Sequence, residues 1–353
     1  MSVRIALVTD AWKPQVNGVV TTLGHVVREL EGRGHSVQVV HPGLFRTVPC
    51  PRYPQIRLAL LPGRGTAQRL DEWSPEAVHI ATEGPLGIAA RRWCRRRRRP
   101  FTTSWHTQFP LYLRAYAGVP EAWSYRFLRW FHGAAERTLV PTESVRRELA
   151  ERGFTGVRTW TRGVEHDLFR PRPRGFFPFE RPILLYAGRV AAEKNIEAFL
   201  ALRHPGTKVV VGDGPILPRL RERHPDAVFT GFRHGEELAR HFADADVFVF
   251  PSRTDTFGVV MLEAMACGVP VAALPVTGPR DVVREGVSGA LDEDLDAAVA
   301  RALRCDRAAT SAYARGFSWE RCADLFLENL ATSNDAVAGA GSVRREPASS
   351  AAP

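Results

Sequence analysis

The stretch Ser252-Arg-Thr-Asp-Thr-Phe-Gly-Val-Val-Met-Leu-Glu-Ala-Met-Ala-Cys-Gly-Val-Pro-Val271 reads as a strand end, a short polar loop, an apolar helix, a glycine stop and the next strand. Strand, helix and strand in that order make the unit from which parallel sheets are wound. One carboxylate, Glu263, sits inside the helix among Val259, Val260, Met261, Leu262, Ala264 and Met265, and a carboxylate in apolar surroundings needs a partner. Gly258 falls in the first turn, where unpaired N–H groups and the positive end of the dipole suit an anion such as a diphosphate. Glu263 then lies roughly 7.5 Å further along the axis. That spacing fits a nucleoside diphosphate lying along the helix, with phosphates at Gly258, Val259 and Val260 and ribose hydroxyls donating to Glu263. Asp255, in the loop before the helix, would face whatever hangs beyond the phosphates. A core helix whose Glu263 snorkels or pairs with an arginine fits the same spacing, which leaves both readings open.

With 353 residues the chain suits two α/β domains of about 150 residues each. Strand-like runs at Val3–Thr9, Ser36–His41, Ala77–Thr82, Phe101–His106 and Thr138–Pro141 alternate with helical or loop segments. After the run Arg170-Pro-Arg-Pro-Arg-Gly-Phe-Phe-Pro-Phe-Glu-Arg-Pro182 the pattern repeats, at Ile183–Ala187, Lys208–Val211, Val228–Thr230, Val247–Phe250 and Val269–Ala273. The expected architecture is two Rossmann-like, doubly wound domains facing across a cleft: 1–170, a linker at 171–182, and 183–317. Ser318 caps a closing helix at 318–332, and the Ala-, Gly- and Ser-rich stretch 333–353 reads as disordered. Neither half carries G-x-G-x-x-G after its first strand, which argues against an ordinary dinucleotide-dependent dehydrogenase.

Five cysteines without a C-x-x-C pair argue against a zinc site or a disulfide framework. The N-terminus enters a strand at once, and no apolar run approaches the ~20 residues that span a bilayer. A cytoplasmic protein, or one held at a membrane from outside, is expected. Charge is lopsided: residues 1–181 hold 29 Lys+Arg against 15 Asp+Glu, and residues 182–353 hold 19 against 23. The basic half would seek an anionic surface. Its densest part, Arg91-Arg-Trp-Cys-Arg-Arg-Arg-Arg-Arg-Pro100, closes a helix that begins near Pro85, and Arg95, Arg96, Arg97, Arg98 and Arg99 fit either a solvated helix end or contact with anionic lipid. In Ala122-Trp-Ser-Tyr-Arg-Phe-Leu-Arg-Trp-Phe-His-Gly133 the aromatic residues recur at helical spacing, so Trp123, Phe127 and Trp130 or Phe131 are expected to point into the core. Arginines with aromatics could also serve nucleic acid, but no recognised module for it is present.

Four further stretches end strands. Asp10-Ala-Trp-Lys-Pro-Gln-Val-Asn-Gly-Val-Val20 places Asn17 and Gly18 before a helix, where backbone donors could meet a phosphate or a sugar. Phe101-Thr-Thr-Ser-Trp-His-Thr-Gln-Phe109 puts His106 at a strand end. Leu185-Tyr-Ala-Gly-Arg-Val-Ala-Ala-Glu-Lys-Asn195 carries Arg189 and Lys194, the latter one of only three lysines against 45 arginines. A planar fork and a movable point charge are complementary grips on a diphosphate. Val209-Val-Val-Gly-Asp-Gly-Pro-Ile-Leu217 adds a glycine turn, in which Gly212 and Gly214 shape a wall.

These stretches, in this order over residues 1 to about 330, resemble the retaining glycosyltransferases of family four, with Asp255 and Glu263 as the ends of its acidic-x7-Glu signature. The first acidic position is more often Glu, so Asp255 is a variant. The run Ser-Arg-Thr-Asp-Thr-Phe-Gly is similar to the branch that holds nucleotide-sugar-dependent α-mannosyltransferases and diacylglycerol glycosyltransferases. The resemblance implies the GT-B fold and transfer of a hexose (mannose, glucose or glucuronic acid) from a GDP- or UDP-linked sugar to a lipid or glycan hydroxyl, with retention and without a metal or other cofactor. It implies that Arg189, Lys194 and the N–H groups near Gly258 hold the diphosphate, that Asp255 orients the sugar, that His106 hydrogen-bonds it, and that the Asn17-Gly18 loop faces donor phosphates and acceptor. Phe232-Arg-His-Gly235 resembles a loop beside the nucleotide base. A nucleotide-sugar epimerase on the same frame is the alternative. A peripheral place at an anionic membrane surface, and no nucleic-acid partner, complete the expectation.

Overall fold

A computed structural model describes residues 2–15, 17–50 and 53–332; the stretch 333–353, expected to be disordered, lies outside the described residues. Strands β1 (Arg4–Val8) and β2 (Ser36–Val40) are followed by a hairpin, β3 (Thr47–Cys50) and β4 (Tyr53–Ala59), and then by β5 (Ala77–Ile80), β6 (Thr102–Ser104), β7 (Arg137–Val140) and β8 (Val157–Thr159). All but the hairpin form one parallel sheet in the order β2-β1-β5-β6-β7-β8. Strands β9 (Ile183–Ala187), β10 (Thr207–Val211), β11 (Val228–Gly231), β12 (Val247–Phe250), β13 (Val271–Ala273) and β14 (Gly289–Leu291) form a second parallel sheet, ordered β11-β10-β9-β12-β13-β14.

The second sheet shows why these segments are strands. Ile183-Leu-Leu-Tyr-Ala187 and Val247-Phe-Val-Phe250 are buried at every position, as strands covered by helices on both faces must be. Because side chains alternate across a strand, Leu185 and Phe248 enter the core on one face while Leu184 and Val249 enter the core on the other. The first sheet is built in the same way, with Ile5 and Leu7 facing one core and Ala6 and Val8 the other.

The chain between the sheets is not loose. Phe169 and Phe177 are buried against the second sheet's core, and the N–H groups of Gly175 and Phe177 donate to the Asp244 carboxylate at 2.8 and 2.6 Å. The helix Trp319–Asn329 returns to the first sheet. The Ser318 hydroxyl caps it, Trp319, Cys322 and Phe326 join Ile5, Leu23 and Trp160 in one core, and Trp160 Nε1 donates to the Cys322 carbonyl at 2.9 Å. Burying Trp319 and Phe326 contributes about 1.5–3 kcal/mol each.

One sequence expectation is corrected. The helix Glu121–His132 buries Ser124, Tyr125, Leu128, Phe131 and His132, whereas Trp123 is 74% exposed and Trp130 is 47% exposed. At 100° per residue Trp123 and Trp130 lie almost opposite Leu128, so the aromatic spacing divides between an inner and an outer face. The outer indole is partnered by charge: the Arg91 guanidinium sits 3.8 Å over the Trp130 ring.

Candidate active site

β9 pairs with β10 on one side and β12 on the other, so the loops that leave β9 and β12 diverge and open a crevice at the carboxyl edge of the sheet. The sequence placed its candidates on these two loops. Gly188 to Asn195 carries Arg189 and Lys194; Pro251 to Gly258 carries Asp255. Lys194 Nζ lies 2.6 and 2.9 Å from the two Asp255 carboxylate oxygens, and both side chains are half-buried. Asn195 adopts a left-handed φ of 54° and its amide donates to the Pro251 carbonyl at 3.0 Å, tying the loops together beside that ion pair. Arg189 is exposed, and its carbonyl accepts the Tyr186 hydroxyl at 2.8 Å. The wall beside them depends on Gly212, where a Cβ would lie 1.9 Å from the Gly188 carbonyl oxygen.

The helix Val259–Ala266 starts on Gly258 at φ 84°, and no side chain caps it. A glycine at the cap has no side chain to accept from the first-turn N–H groups, which leaves them open to a ligand. Val259 packs against the first domain's core, so this end of the helix abuts the other domain. Glu263 is half-buried. Burial, followed by the nearby Glu165 carboxylate, pushes its carboxyl up to about 7. Among the described residues no arginine or lysine forms an ion pair with Glu263, which removes the arginine-paired core reading. Glu165 is held by Arg28 at 3.2 Å and approached by His25 at 3.8 Å.

On the first domain the structure qualifies the Asn17-Gly18 expectation. Asn17 Oδ1 accepts from the N–H groups of Val19 and Val20, both at 3.0 Å, so the cap itself occupies donors that a ligand was expected to meet. Gly18 opens the helix Gly18–Gly32, and a Cβ there would meet no atom within 4 Å, so protein packing does not demand glycine. Asp10, at the end of the same strand, is structural: its carboxylate accepts from Leu86 N at 3.0 Å and Thr82 Oγ at 2.8 Å, capping the helix Pro85–Arg97.

His106 follows β6. Its carbonyl accepts the Thr256 hydroxyl at 2.7 Å, a direct link from the first domain to the loop that carries Asp255. Its Nδ1 lies 3.3 Å from an Arg162 guanidinium nitrogen, and its Nε2 is buried without a protein partner among the described residues. Burial, with the Arg162 charge beside it, holds the imidazole well below its ordinary pKa. Arg162, Thr256 and Glu165 carry no local sequence signal for this role, because loops distant in sequence bring them together.

The arginine run is not part of this assembly. The helix Pro85–Arg97 leaves the carboxyl end of β5 and runs back along the sheet, so Arg95 to Arg99 end at the opposite edge, ~20 Å away at 1.5 Å per residue. Arg97 pairs with Asp71 at 2.7 Å and Arg99 donates to the Pro75 carbonyl at 3.2 Å. Arg91, Arg92, Arg95, Arg96 and Trp130 line an open surface groove of about 460 Å³. Among the described residues no helix is long and apolar enough to cross a membrane, and no group of three or more His, Cys, Asp or Glu side chains is placed to hold a metal.

Comparison with known proteins bears on the family and the fold. A family model described as Glycosyltransferase Family 4 matches residues 16–168, and one described as Glycosyl transferases group 1 matches residues 181–305. The GDP-mannose-dependent alpha-mannosyltransferase of Corynebacterium glutamicum is 32% identical over 83% of this chain and 77% of its own. A sulfoquinovosyl transferase of Arabidopsis thaliana is 31% identical over 78% of this chain and 60% of its own. Among solved structures, a sucrose-phosphate synthase from Thermosynechococcus elongatus superposes with a TM-score of 0.73 at 20% identity, covering 96% of this chain and 100% of that one. With two parallel-sheet domains in the GT-B arrangement and this level of likeness along its length, the chain belongs to glycosyltransferase family four.

Proposed function

We propose that the chain is a retaining α-hexosyltransferase that moves a hexose from a nucleoside diphosphate sugar to a lipid or glycan hydroxyl, with no metal required. Arg189, Lys194 and the N–H groups at Gly258, Val259 and Val260 hold the diphosphate, where preorganised positive charge meets the charge that grows on the leaving group. Glu263 accepts from the ribose hydroxyls, Asp255 orients the sugar, His106 contacts it, and Asn17 and Gly18 border the acceptor side. The observation that carries this reading is the position of Arg189, Lys194, Asp255 and Gly258 on the two loops flanking the β9–β12 switch point, with the Thr256–His106 bond joining them to the first domain. The relatives named above are a mannosyltransferase, a sulfoquinovosyl transferase and a synthase, which supports transfer over the epimerase alternative. Thermal shift against UDP-, GDP- and ADP-sugars, followed by NMR of the anomeric proton in the product, tests donor and stereochemistry together. A donor-dependent shift and an α product are expected; epimerised donor formed without acceptor would overturn the reading.

The second element is a peripheral membrane contact. Arg92, Arg95 and Arg96, with the outward indoles of Trp123 and Trp130, combine cations for anionic head groups with amphipathic rings suited to the interface.

A further inference from the structure

Arg162 lies in Trp160-Thr-Arg-Gly-Val164, the turn that leaves the edge strand β8. It is 3% exposed, and among the described residues no carboxylate pairs with it. Burying an unpaired guanidinium is expensive, so its remaining contacts matter. One terminal nitrogen donates to the Trp160 carbonyl at 2.5 Å and the Thr161 carbonyl at 3.1 Å. The guanidinium carbon stacks 4.4 Å over the Trp160 ring. The other terminal nitrogen is left to reach His106 Nδ1 at 3.3 Å.

Arginine has donors and no acceptor, so that contact has one polarity: Arg162 donates, and His106 Nδ1 must offer a lone pair. A neutral imidazole with an unprotonated Nδ1 carries its proton on Nε2. Every neighbouring group agrees. His79, from β5, is occupied by the Thr102 and Ser104 hydroxyls at 2.8 and 2.5 Å and is itself held down to about 3 by burial. The Trp160 ring stands edge-on 5.8 Å from the His106 ring. Thr256, from the second domain, takes the backbone carbonyl and leaves the ring alone. With a buried cation at Nδ1 and no carboxylate in contact among the described residues, the imidazolium is disfavoured. Nε2–H is then a donor without a protein acceptor among the described residues.

We infer that Arg162 is a positioning residue that locks His106 in its Nε2–H tautomer, making His106 a hydrogen-bond donor toward the transferred sugar and barring it from service as a general base. The sugar contact rests on the proposed function; the tautomer does not. The same lock gives a use to a buried cation that has no carboxylate partner among the described residues.

The test is long-range ¹H–¹⁵N spectroscopy of histidine-labelled full chain between pH 6 and 8, with His106→Gln to assign its ring signals. Nδ1 should be pyridine-like and Nε2 pyrrole-like throughout, without titration. A pyrrole-like Nδ1, or an imidazolium forming in that window, overturns the inference. Arg162→Lys, which keeps a donor, should preserve the tautomer and keep turnover within about tenfold of the parent. Arg162→Met should mix the tautomers and lower kcat ten- to hundredfold while donor KM changes less than threefold. A folded Arg162→Met that keeps both the parental spectrum and the parental kcat also overturns it. Should Arg162→Met fail to melt cooperatively, the parental spectrum and Arg162→Lys decide. Failure of the proposed function is separable: nucleotide would bind elsewhere while the ring signals stayed as described.

Discussion

Lys194 holds Asp255 through both carboxylate oxygens, at 2.6 and 2.9 Å, and so couples the loop after β9 to the loop after β12. The cation proposed for the donor phosphates and the carboxylate proposed for the donor sugar are thus one ion-paired unit. On the proposed roles, Asp255→Asn removes the charge that would orient the sugar but leaves Lys194 for the phosphates. Turnover should fall at least about hundredfold, while calorimetry finds nucleoside diphosphate affinity within threefold of the parent or tighter. Lys194→Met should do the reverse to binding, weakening nucleoside diphosphate by about 1.5–3 kcal/mol. Equal affinities for both variants would remove the division of labour.

Gly258 starts its helix at φ 84°, and a Cβ there would lie 2.8 Å from Phe250 and 2.9 Å from Met261. Gly258→Ala combines left-handed strain with crowding against two side-chain ends that can shift. Urea unfolding should show a loss of about 1–3 kcal/mol. The affinity for nucleoside diphosphate should fall with it, because the first turn is what the substitution displaces.

Glu263 gives a pH signature. Its carboxyl is raised to about 7 in the folded chain by burial and by Glu165, so the protonated form is the one that folding favours. That contribution to stability is complete below the unfolded value of about 4.5 and is lost as pH rises through about 7. Glu263→Gln should therefore stabilise the ligand-free protein above pH 7, by on the order of 1–3 kcal/mol, and flatten the dependence of Tm on pH between 5 and 8. Ribose hydroxyls that donate to the ionised carboxylate would pull the equilibrium the other way. Nucleoside diphosphate binding to the parent at pH 6.5 should release protons, measured by calorimetry in buffers of different ionisation enthalpy. Glu263→Gln should bind more weakly and release fewer.

At the opposite edge of the first domain, Arg95→Gln with Arg96→Gln should weaken binding to phosphatidylglycerol vesicles, measured by co-sedimentation, roughly thirtyfold at low salt, each charge contributing about 1 kcal/mol near such a surface. Trp123→Ala should do so at any salt and without a change in Tm, because the indole is exposed. Sedimentation of both variants identical to the parent's would leave the outward indoles without this purpose.

How much of this was legible in the sequence follows from the length and burial of each element. Val247–Phe250 and Ile183–Ala187 coincide with their expected bounds, because a strand buried on both faces writes an uninterrupted apolar run. β8 (Val-Arg-Thr) and β14 (Gly-Ala-Leu) hold no apolar run to mark them, and the β3–β4 hairpin contains Pro49 and Pro54, residues that weaken a strand pattern. That Lys194, Asp255 and Gly258 lie on the two loops after β9 and β12 could be read beforehand, because loops at strand ends keep their residues in short runs. Arg162 and Thr256 could not, since their meaning lies in contacts with His106 across 56 and 150 residues of chain. The outward turn of Trp123 was missed because aromatic spacing alone does not say which side of a helix meets the core.

The most direct test is a crystal structure of the chain with a nucleoside diphosphate. Density for the two phosphates between Arg189, Lys194 and the N–H groups of Gly258 to Val260, with the ribose at Glu263, is the predicted result. Phosphates bound on another surface while that crevice stays empty would contradict it.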